Sequence, residues 1–148
     1  MATALIVYAS LTGNTEEIAD ILAELLEEQG VEVDIKECTS ATADEFHDYD
    51  ICVVATYTYG TDGDLPDEIV DFYEELEEED LSGKIYGALG SGDTFYDKFC
   101  QSVLDFDEQF AKTGATKGAE NVLVDLNAEE EDVKNIEAFA KSLVEKLG

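Results

Sequence analysis

The sequence alternates between short apolar runs and longer segments in which apolar residues recur every three or four positions. Residues 4–9 and 51–55 are uninterrupted apolar runs, as expected of parallel strands that are buried on both faces. Between them, Ile18, Leu22 and Leu25 lie on one face of a predicted helix. Because parallel strands need a crossover between them, this alternation predicts an α/β protein with helices on both sides of a parallel sheet.

The alternation continues to the C-terminus and predicts one domain over residues 1–148. The five predicted strands are residues 4–9, 31–35, 51–55, 85–89 and 121–126. The second of these alternates apolar and polar residues, which indicates an edge strand. The predicted inward-facing helix residues are Ile18, Ile21, Leu22, Leu25 and Leu26; Ile69, Phe72, Tyr73 and Leu76; Phe99, Val103, Phe106 and Phe110; and Val133, Ile136, Phe139, Ala140, Leu143 and Val144.

Helix boundaries are predicted from capping residues. Asn14 with Glu17, and Asn127 with Glu130, have the spacing of a capping box, so we expect the first and last long helices to begin there. Gly30 is the predicted end of the first helix. Residues 44–47 are predicted to form a short helical turn, and the only proline, Pro66, suits the first turn of another helix.

The charge balance excludes several classes of function. The chain has 37 Asp and Glu against 8 Lys and Arg, a net charge of -29, and every basic residue is Lys. Such a surface repels nucleic-acid phosphates and anionic lipid, and without arginine no arginine-dependent phosphatase or arginine finger is possible. The charge favours partners with positively charged faces. The acidic run at residues 74–80 is interpreted as a solvated helix end, with Leu76 facing the core.

Cysteine and histidine patterns predict neither a disulfide framework nor a metal site. Cys38, Cys52 and Cys100 are widely spaced and form no C-x-x-C motif, so we expect three core thiols in a reducing compartment. His47 is the only histidine and is expected at the surface. No signal peptide or membrane span is recognisable, which makes the cytoplasm the expected location.

The segment between the first strand and the first helix has the composition of an anion-binding loop. It reads Ser10-Leu11-Thr12-Gly13-Asn14-Thr15, with three hydroxyl side chains, one glycine and the N–H groups of a helix start. No lysine is present, so the segment is not the loop that handles nucleoside triphosphates. A single phosphate monoester held by neutral donors is favoured, and an ordinary capped turn remains the alternative.

Two further loops follow the third and fourth predicted strands. Residues 56–64 and 90–96 are polar and glycine-rich, and both contain aromatic residues at positions expected to be exposed. Because the carboxyl ends of parallel strands share one edge, these loops could hold a planar ring between two aromatic side chains. Local packing of each tyrosine within its own loop is the alternative.

Taken together, the three loops resemble those of flavodoxins of the short-chain type. The pattern S-x-T-G-N-T at residues 10–15 is similar to that family's phosphate loop for flavin mononucleotide, FMN. The resemblance covers essentially the whole chain and implies a three-layer sandwich with a five-stranded parallel sheet of order 2-1-3-4-5, the order for which flavodoxin is the standard example. The FMN-binding residues that it implies are Ser10, Leu11, Thr12, Gly13, Asn14, Thr15, Tyr57, Thr58, Tyr59, Gly60, Ser91, Gly92, Asp93, Tyr96, Phe99 and Cys100.

The resemblance also implies individual roles. Tyr59 and Tyr96 stack on opposite faces of the isoalloxazine, and the Gly60 peptide turns toward flavin N5 on one-electron reduction. Gly92 and Asp93 supply backbone contacts to the pyrimidine end. Two residues depart from the family pattern: Tyr59 stands where many members have Trp, and Tyr57 stands where some have a Ser that contacts the phosphate.

The function implied is a low-potential one-electron carrier that shuttles between FMN semiquinone and hydroquinone. The expected partners are a flavin reductase and low-potential oxidoreductases with basic docking faces, with the chain itself a monomer. Six acidic residues are expected near the flavin, where they disfavour the anionic hydroquinone: Asp62, Asp64, Asp67, Glu68, Asp93 and Asp97.

Three alternative functions are compatible with the same architecture. An FMN-dependent quinone or NAD(P)H reductase would need room for a substrate, and an FMN protein dedicated to one partner enzyme would still carry electrons. A phospho-receiver domain needs an Asp at the end of strand three and a Lys after strand five. Here residues 54–56 are Val-Ala-Thr and Lys117 precedes strand five, which excludes the receiver.

Overall fold

The computed structural model describes residues 2–9, 13–57, 67–92, 100–125 and 128–147, and the structural statements below concern these residues. Their sheet is parallel throughout, in the order β2-β1-β3-β4, with two short strands sharing the last position beside β4. The predicted order 2-1-3-4-5 is therefore confirmed. The strands are β1 Thr3–Tyr8, β2 Glu32–Glu37, β3 Ile51–Tyr57, β4 Ile85–Gly92, β5 Thr116–Lys117 and β6 Val122–Asp125.

Four α-helices cover the two faces of the sheet. They are α1 Asn14–Glu28, α2 Asp67–Glu77, α3 Gln101–Lys112 and α4 Glu130–Lys146, with 3-10 helices at Cys38–Ser40 and Ala43–Asp48. The apolar faces of α1 and α4 pack on one side of the sheet, and those of α2 and α3 pack on the other. This confirms the three-layer sandwich and the helical turn predicted at residues 44–47.

The two layers of core differ in character. Side chains from α1 and α4 are mainly aliphatic, and they come so close to the sheet that a Cβ on Gly87 would lie 2.5 Å from the Phe139 ring. The opposite layer is aromatic, with Phe46 packed against Phe72 and Phe110 at centroid distances of 5.7 and 5.6 Å. Burial of both faces explains why residues 4–7 and 51–55 are fully buried and uniformly apolar.

The fifth predicted strand, residues 121–126, corresponds to β6, and the sequence did not predict the two-residue strand β5 that precedes it. β5 pairs with the start of β4 and β6 with its end, and the chain breaks from the sheet at residues 118–121 between them. Gly118 at the break has no room for a side chain, since a Cβ would lie 2.3 Å from Ile85 Cγ2. β3 and β4 in turn extend two and three residues past their predicted ends, into the polar loops.

Both predicted capping boxes are wrong, whereas the predicted helix end at Gly30 is confirmed. α1 begins after Gly13, whose φ is 93°, with no side-chain cap, and α4 is capped by a box between Glu129 and Asp132. At the other end of α1, the N–H groups of Gly30 and Val31 donate to the carbonyls of Glu27 and Leu26, which is the Schellman pattern.

Single side chains depart from their predicted environments. Val133 was expected to face the core but is 37% exposed, and Tyr73 is only half-buried against Phe106. Leu76 is fully buried within its acidic run, as predicted. His47 is at the surface, where its Nε2 lies 2.7 Å from Glu79 Oε1.

The three cysteines are buried free thiols, as predicted. Burial raises the pKa of each to about 12, so these thiols stay protonated at neutral pH. Within the described ranges no cluster of three or more His, Cys, Asp or Glu side chains could hold a metal ion. None of the described helices combines the length and the hydropathy needed to cross a membrane.

Candidate functional site at the carboxyl ends of the strands

The ends of β1, β3 and β4 meet at one edge of the sheet. Tyr8 pairs with Ala55, Tyr57 pairs with Ser91, and the Ala9 N–H donates to the Ala55 carbonyl at 2.9 Å. Gly13 and the first turn of α1 follow β1 at the same edge. The loops after strands one, three and four therefore leave neighbouring strand ends, as the parallel topology required.

The start of α1 has the features of an anion site. Gly13 is in the left-handed region and, among the described residues other than its chain neighbours, no atom lies within 4 Å of where its Cβ would be, so a ligand could approach the backbone here. The first N–H groups of a helix have no carbonyl partner inside the helix, and they carry the positive end of its dipole. The Glu17 N–H already donates to the Gly13 carbonyl, so those of Asn14, Thr15 and Glu16, which precede it, are the candidate donors.

Acidic side chains flank this helix start. Glu16 and Glu17 lie in the first turn of α1, and the Tyr8 hydroxyl donates to Glu16 Oε2 at 3.1 Å. Burial and this hydrogen bond together raise the pKa of Tyr8 to about 12. No lysine or arginine occurs in the first turn of α1 or in β1, β3 or β4. The donors present are neutral, which fits a phosphate monoester held by N–H and hydroxyl groups.

A hydroxyl pair links the first loop to the third. Thr15 Oγ1 and Ser91 Oγ lie 2.8 Å apart, and the two residues are 1% and 4% exposed. Thr15 belongs to the first turn of α1 and Ser91 to the end of β4, so the bond passes over the intervening β3. Sequence reasoning placed both residues in the site but missed their pairing.

Gly90 is a second feature that sequence reasoning missed. A Cβ at this position would lie 1.8 Å from the Thr56 carbonyl oxygen and 2.8 Å from Val103 Cγ2. The ends of β3 and β4 therefore approach so closely that only glycine fits. The glycine-rich composition of residues 90–96 was a signal, but it did not distinguish Gly90 from Gly92.

Tyr57 is directed to the α2 side of the sheet. Its hydroxyl donates to Glu68 Oε1 at 2.9 Å, and its ring packs against the aromatic layer of the core. The Glu68 carbonyl in turn accepts a hydrogen bond from Cys38 Sγ at 3.4 Å. α1 lies on the other face of the sheet. Tyr57, which stands where some family members have a small serine, therefore contacts α2.

Cys100, another predicted site residue, has its side chain inside the protein. It is fully buried, and its Sγ lies 4.0 Å from the Gly90 carbonyl and 3.9 Å from the Val124 carbonyl. Its φ of 54° turns the chain sharply into α3. The side chain thus packs beneath the ends of β4 and β6.

Several predicted site residues lie outside the described residues, and their roles stay predictions. Among the predicted flavin contacts these are Ser10, Leu11, Thr12, Thr58, Tyr59, Gly60, Asp93, Tyr96 and Phe99. Of the six acidic residues expected near the flavin, Asp62, Asp64, Asp93 and Asp97 also lie outside, and only Glu68 has a described side chain.

Charged side chains lie at both ends of the strands. Lys84, Lys112, Lys117 and Lys146 all lie at the end where the strands begin, before β4, at the end of α3, in β5 and at the end of α4. The opposite end carries acids in the first turns of two helices. These are Glu16, Glu17, Glu130, Glu131 and Asp132. Acids also lie at the end where the strands begin, including residues 74–80 at the end of α2, so the edge that bears the candidate site is acidic but is not distinguished from the other end by its negative charge.

A separate polar cluster lies away from this edge, around Asp107 on α3. Its carboxylate accepts hydrogen bonds from Tyr86 at 2.6 Å, Lys117 at 2.8 Å and Asn121 at 3.0 Å. Burial alone would raise the pKa of Asp107, but the hydrogen bonds outweigh it and hold that pKa below its usual value. The cluster fastens both ends of the break between β5 and β6 to α3.

The fold and this edge define a class: doubly wound α/β proteins that bind a ligand where the winding reverses, between β1 and β3. A family model described as Flavodoxin matches residues 6–146, and the chain belongs to the flavodoxin family. Flavodoxins bind FMN and transfer electrons to redox partners, and they are not enzymes. The prediction of an electron carrier is confirmed at this level, and the reductase alternative is disfavoured.

Individual relatives agree along nearly the whole length. The probable flavodoxin 1 of Bacillus subtilis (strain 168) is 41% identical over 145 residues, which cover 97% of this chain and 91% of that protein. The flavodoxin of Streptococcus pneumoniae TIGR4 is 60% identical with a TM-score of 0.96, covering 98% of this chain and 99% of the other. A short-chain flavodoxin associated with a non-canonical PDU bacterial microcompartment is 44% identical, with a TM-score of 0.98 and complete coverage of both chains.

Proposed function

We propose that this flavodoxin carries single electrons at low potential, on FMN bound across the carboxyl ends of β1, β3 and β4. The observation that carries the proposal is the combination of neutral donors at the start of α1 with acidic side chains around the same edge. Bound FMN would supply the one-electron chemistry. The protein would set the relative stability of the redox states.

The start of α1 and the hydroxyls of the first loop would hold the phosphate. Asn14 and Thr15 would contribute backbone N–H groups, with Ser10 and Thr12 supplying hydroxyls. Because none of these donors is charged, the phosphate charge would stay uncompensated and add to the negative field at this edge.

The low potential follows from electrostatics. One unit charge about 10 Å from the flavin disfavours an added negative charge by about 0.4 kcal/mol in a water-like dielectric, before screening by salt. For a one-electron couple this corresponds to about 20 mV. Six such charges would lower the semiquinone–hydroquinone potential by about 100 mV.

Two aromatic side chains and one glycine complete the proposed site. Tyr59 and Tyr96 would cover the two faces of the ring, and the Gly60 peptide would turn its carbonyl toward N5. Glycine makes that turn inexpensive because it tolerates backbone conformations that are closed to other residues.

Docking would use the acidic edge that bears the candidate site. The acidic side chains in the first turns of α1 and α4 would attract this edge to a basic partner surface. The proposed partners are a flavin reductase as donor and low-potential oxidoreductases as acceptors, with the carrier itself a monomer in the cytoplasm. Association should slow as salt is added, since screening removes the steering.

The test starts from the purified protein and its visible absorption. We expect flavin bands in the holoprotein and stoichiometric uptake of FMN after the flavin is removed. Stepwise reduction with dithionite should pass through a blue neutral semiquinone, followed by a couple more negative than that of free FMN. A colourless protein that takes up no FMN would refute the site, and a final potential equal to or above that of free FMN would refute the low-potential carrier.

A further inference from the structure

The hydroxyls of Thr15 and Ser91 form a buried contact between segments 76 residues apart. We propose that this pair, here called the Thr15–Ser91 brace, fixes the spacing between the phosphate-binding and ring-binding parts of the FMN site. The inference rests on the proposed function. It makes Ser91 a positioning residue, which acts on the cofactor through Thr15 and the start of α1.

The location of the brace supports this role. β1 and β4 are not neighbours in the sheet, because β3 lies between them, so no backbone ladder connects the start of α1 directly to the end of β4. The brace makes that connection through side chains. Its β4 end is held firmly, because Gly90 beside it packs against the Thr56 carbonyl without space for a Cβ.

The chemistry of the pair makes it sensitive to change. A hydrogen bond between two buried hydroxyls leaves an unsatisfied polar group if either partner is removed. Both residues are almost completely buried, so water cannot easily replace the missing hydroxyl. Loss of either hydroxyl should therefore loosen the same contact.

The spacing matters because FMN is bivalent. Its phosphate and its ring are joined by one short chain, so binding at the first subsite presents the second group at a high effective concentration. That advantage depends on the two subsites staying at the separation that the chain can span. A loosened brace would lower the effective concentration, and with it the affinity for FMN, even if each subsite kept its own affinity for phosphate or for the ring.

The experiment compares Thr15→Val, Ser91→Ala and the double variant, with Thr15→Ser as the variant that keeps the hydroxyl. For each apoprotein, dissociation constants are measured for FMN, riboflavin and inorganic phosphate. The product of the riboflavin and phosphate dissociation constants, divided by the FMN dissociation constant, gives the effective concentration of one subsite's ligand group at the other subsite.

We expect Ser91→Ala to reduce this effective concentration about tenfold, equivalent to ~1.4 kcal/mol. In the Thr15→Val background the same change should have no further effect, and Thr15→Ser should stay within about twofold of the unmodified protein.

Thr113→Val is a matched control. This threonine is also buried, and its hydroxyl donates to the Phe110 carbonyl at 2.5 Å, at the end of the molecule where the strands begin. The Thr113→Val substitution should lower the stability of the protein while leaving the effective concentration unchanged.

The outcomes separate the brace from the proposed function. Unmodified protein that binds no FMN would refute the proposed function itself. If FMN binds but the effects of Thr15→Val and Ser91→Ala on its affinity simply add, the brace is wrong. The brace is also wrong if Thr15→Val weakens FMN and phosphate by the same factor while Ser91→Ala changes nothing, since Thr15 would then act only as a direct phosphate contact.

Discussion

Replacing Gly90 by alanine should destabilise the protein severely, because the new methyl group has no space. Its Cβ would lie 1.8 Å from the Thr56 carbonyl oxygen, 2.9 Å from the Thr56 carbonyl carbon and 2.8 Å from Val103 Cγ2. Non-bonded heavy atoms normally stay about 3.5 Å apart, so the ends of β3 and β4 would have to separate by about 1.7 Å. The nearest atom belongs to the backbone, and no change of rotamer can move it away.

The expected loss is about 3 kcal/mol or more in the free energy of unfolding, at the upper end of what overpacking costs. Urea denaturation of the FMN-free protein measures it without the stabilisation that bound ligand adds. Two other glycines serve as controls. Gly87→Ala meets the tip of the Phe139 ring at 2.5 Å and should cost about 1–2 kcal/mol, because a side chain can shift. Gly83→Ala meets nothing within 4 Å and should cost only the strain of its φ of 90°, about 1–2 kcal/mol.

The reasoning would be refuted if Gly90→Ala were no more destabilising than Gly87→Ala. A variant that folds with normal stability but binds FMN weakly would also contradict it, since the clash is with the scaffold and precedes any ligand. Secondary structure measured by circular dichroism would show whether the variant retains the fold at all.

Three further predictions concern redox behaviour, pH and thiol reactivity. Gly60→Ala should lower the maximum amount of semiquinone formed during dithionite titration while oxidised FMN remains bound; an unchanged yield would count against the peptide flip. Asp107→Asn should destabilise the protein by about 1–3 kcal/mol at pH 7. The pKa of Asp107 is lower in the folded protein than in the unfolded chain, where it is about 3.9. The stability that ionised Asp107 contributes is therefore present above about pH 3.9 and is lost as the pH falls through the folded-state pKa. On acidification the variant, which lacks this carboxylate, should lose less stability than the unmodified protein. All three cysteines should resist a thiol reagent at pH 8 in the native protein and react in denaturant, since burial raises each pKa to about 12; rapid native labelling would show that a thiol is accessible.

The main elements of the fold could be predicted because their signals are local. A buried strand or an amphipathic helix is encoded in the residues that form it, and the alternation of the two limits the possible topologies. Helix ends were less predictable. Composition favours Asn127 as the cap of α4, whereas the observed cap is Glu129, which is not a preferred capping residue but forms a box with Asp132.

The two-residue strand β5 shows the same limitation. Val122 and Val124 have a strand pattern, but Thr116 and Lys117 alone are too short to indicate a strand. Beside their backbone pairing with β4, Asp107 on α3 accepts hydrogen bonds from Lys117 and Asn121 on either side of the break. No pattern near residue 118 could predict this contact.

For the candidate site, the residue types and their positions after predicted strands indicated a phosphate held by neutral donors and a flat ring between two loops, because loops at the carboxyl ends of parallel strands share one edge. The net charge of -29 likewise follows from composition. Two features needed the folded chain: the brace between Thr15 and Ser91, and the close approach of Gly90 to Thr56. Each joins residues that are far apart in the sequence and meet only because crossover helices bring β1, β3 and β4 side by side.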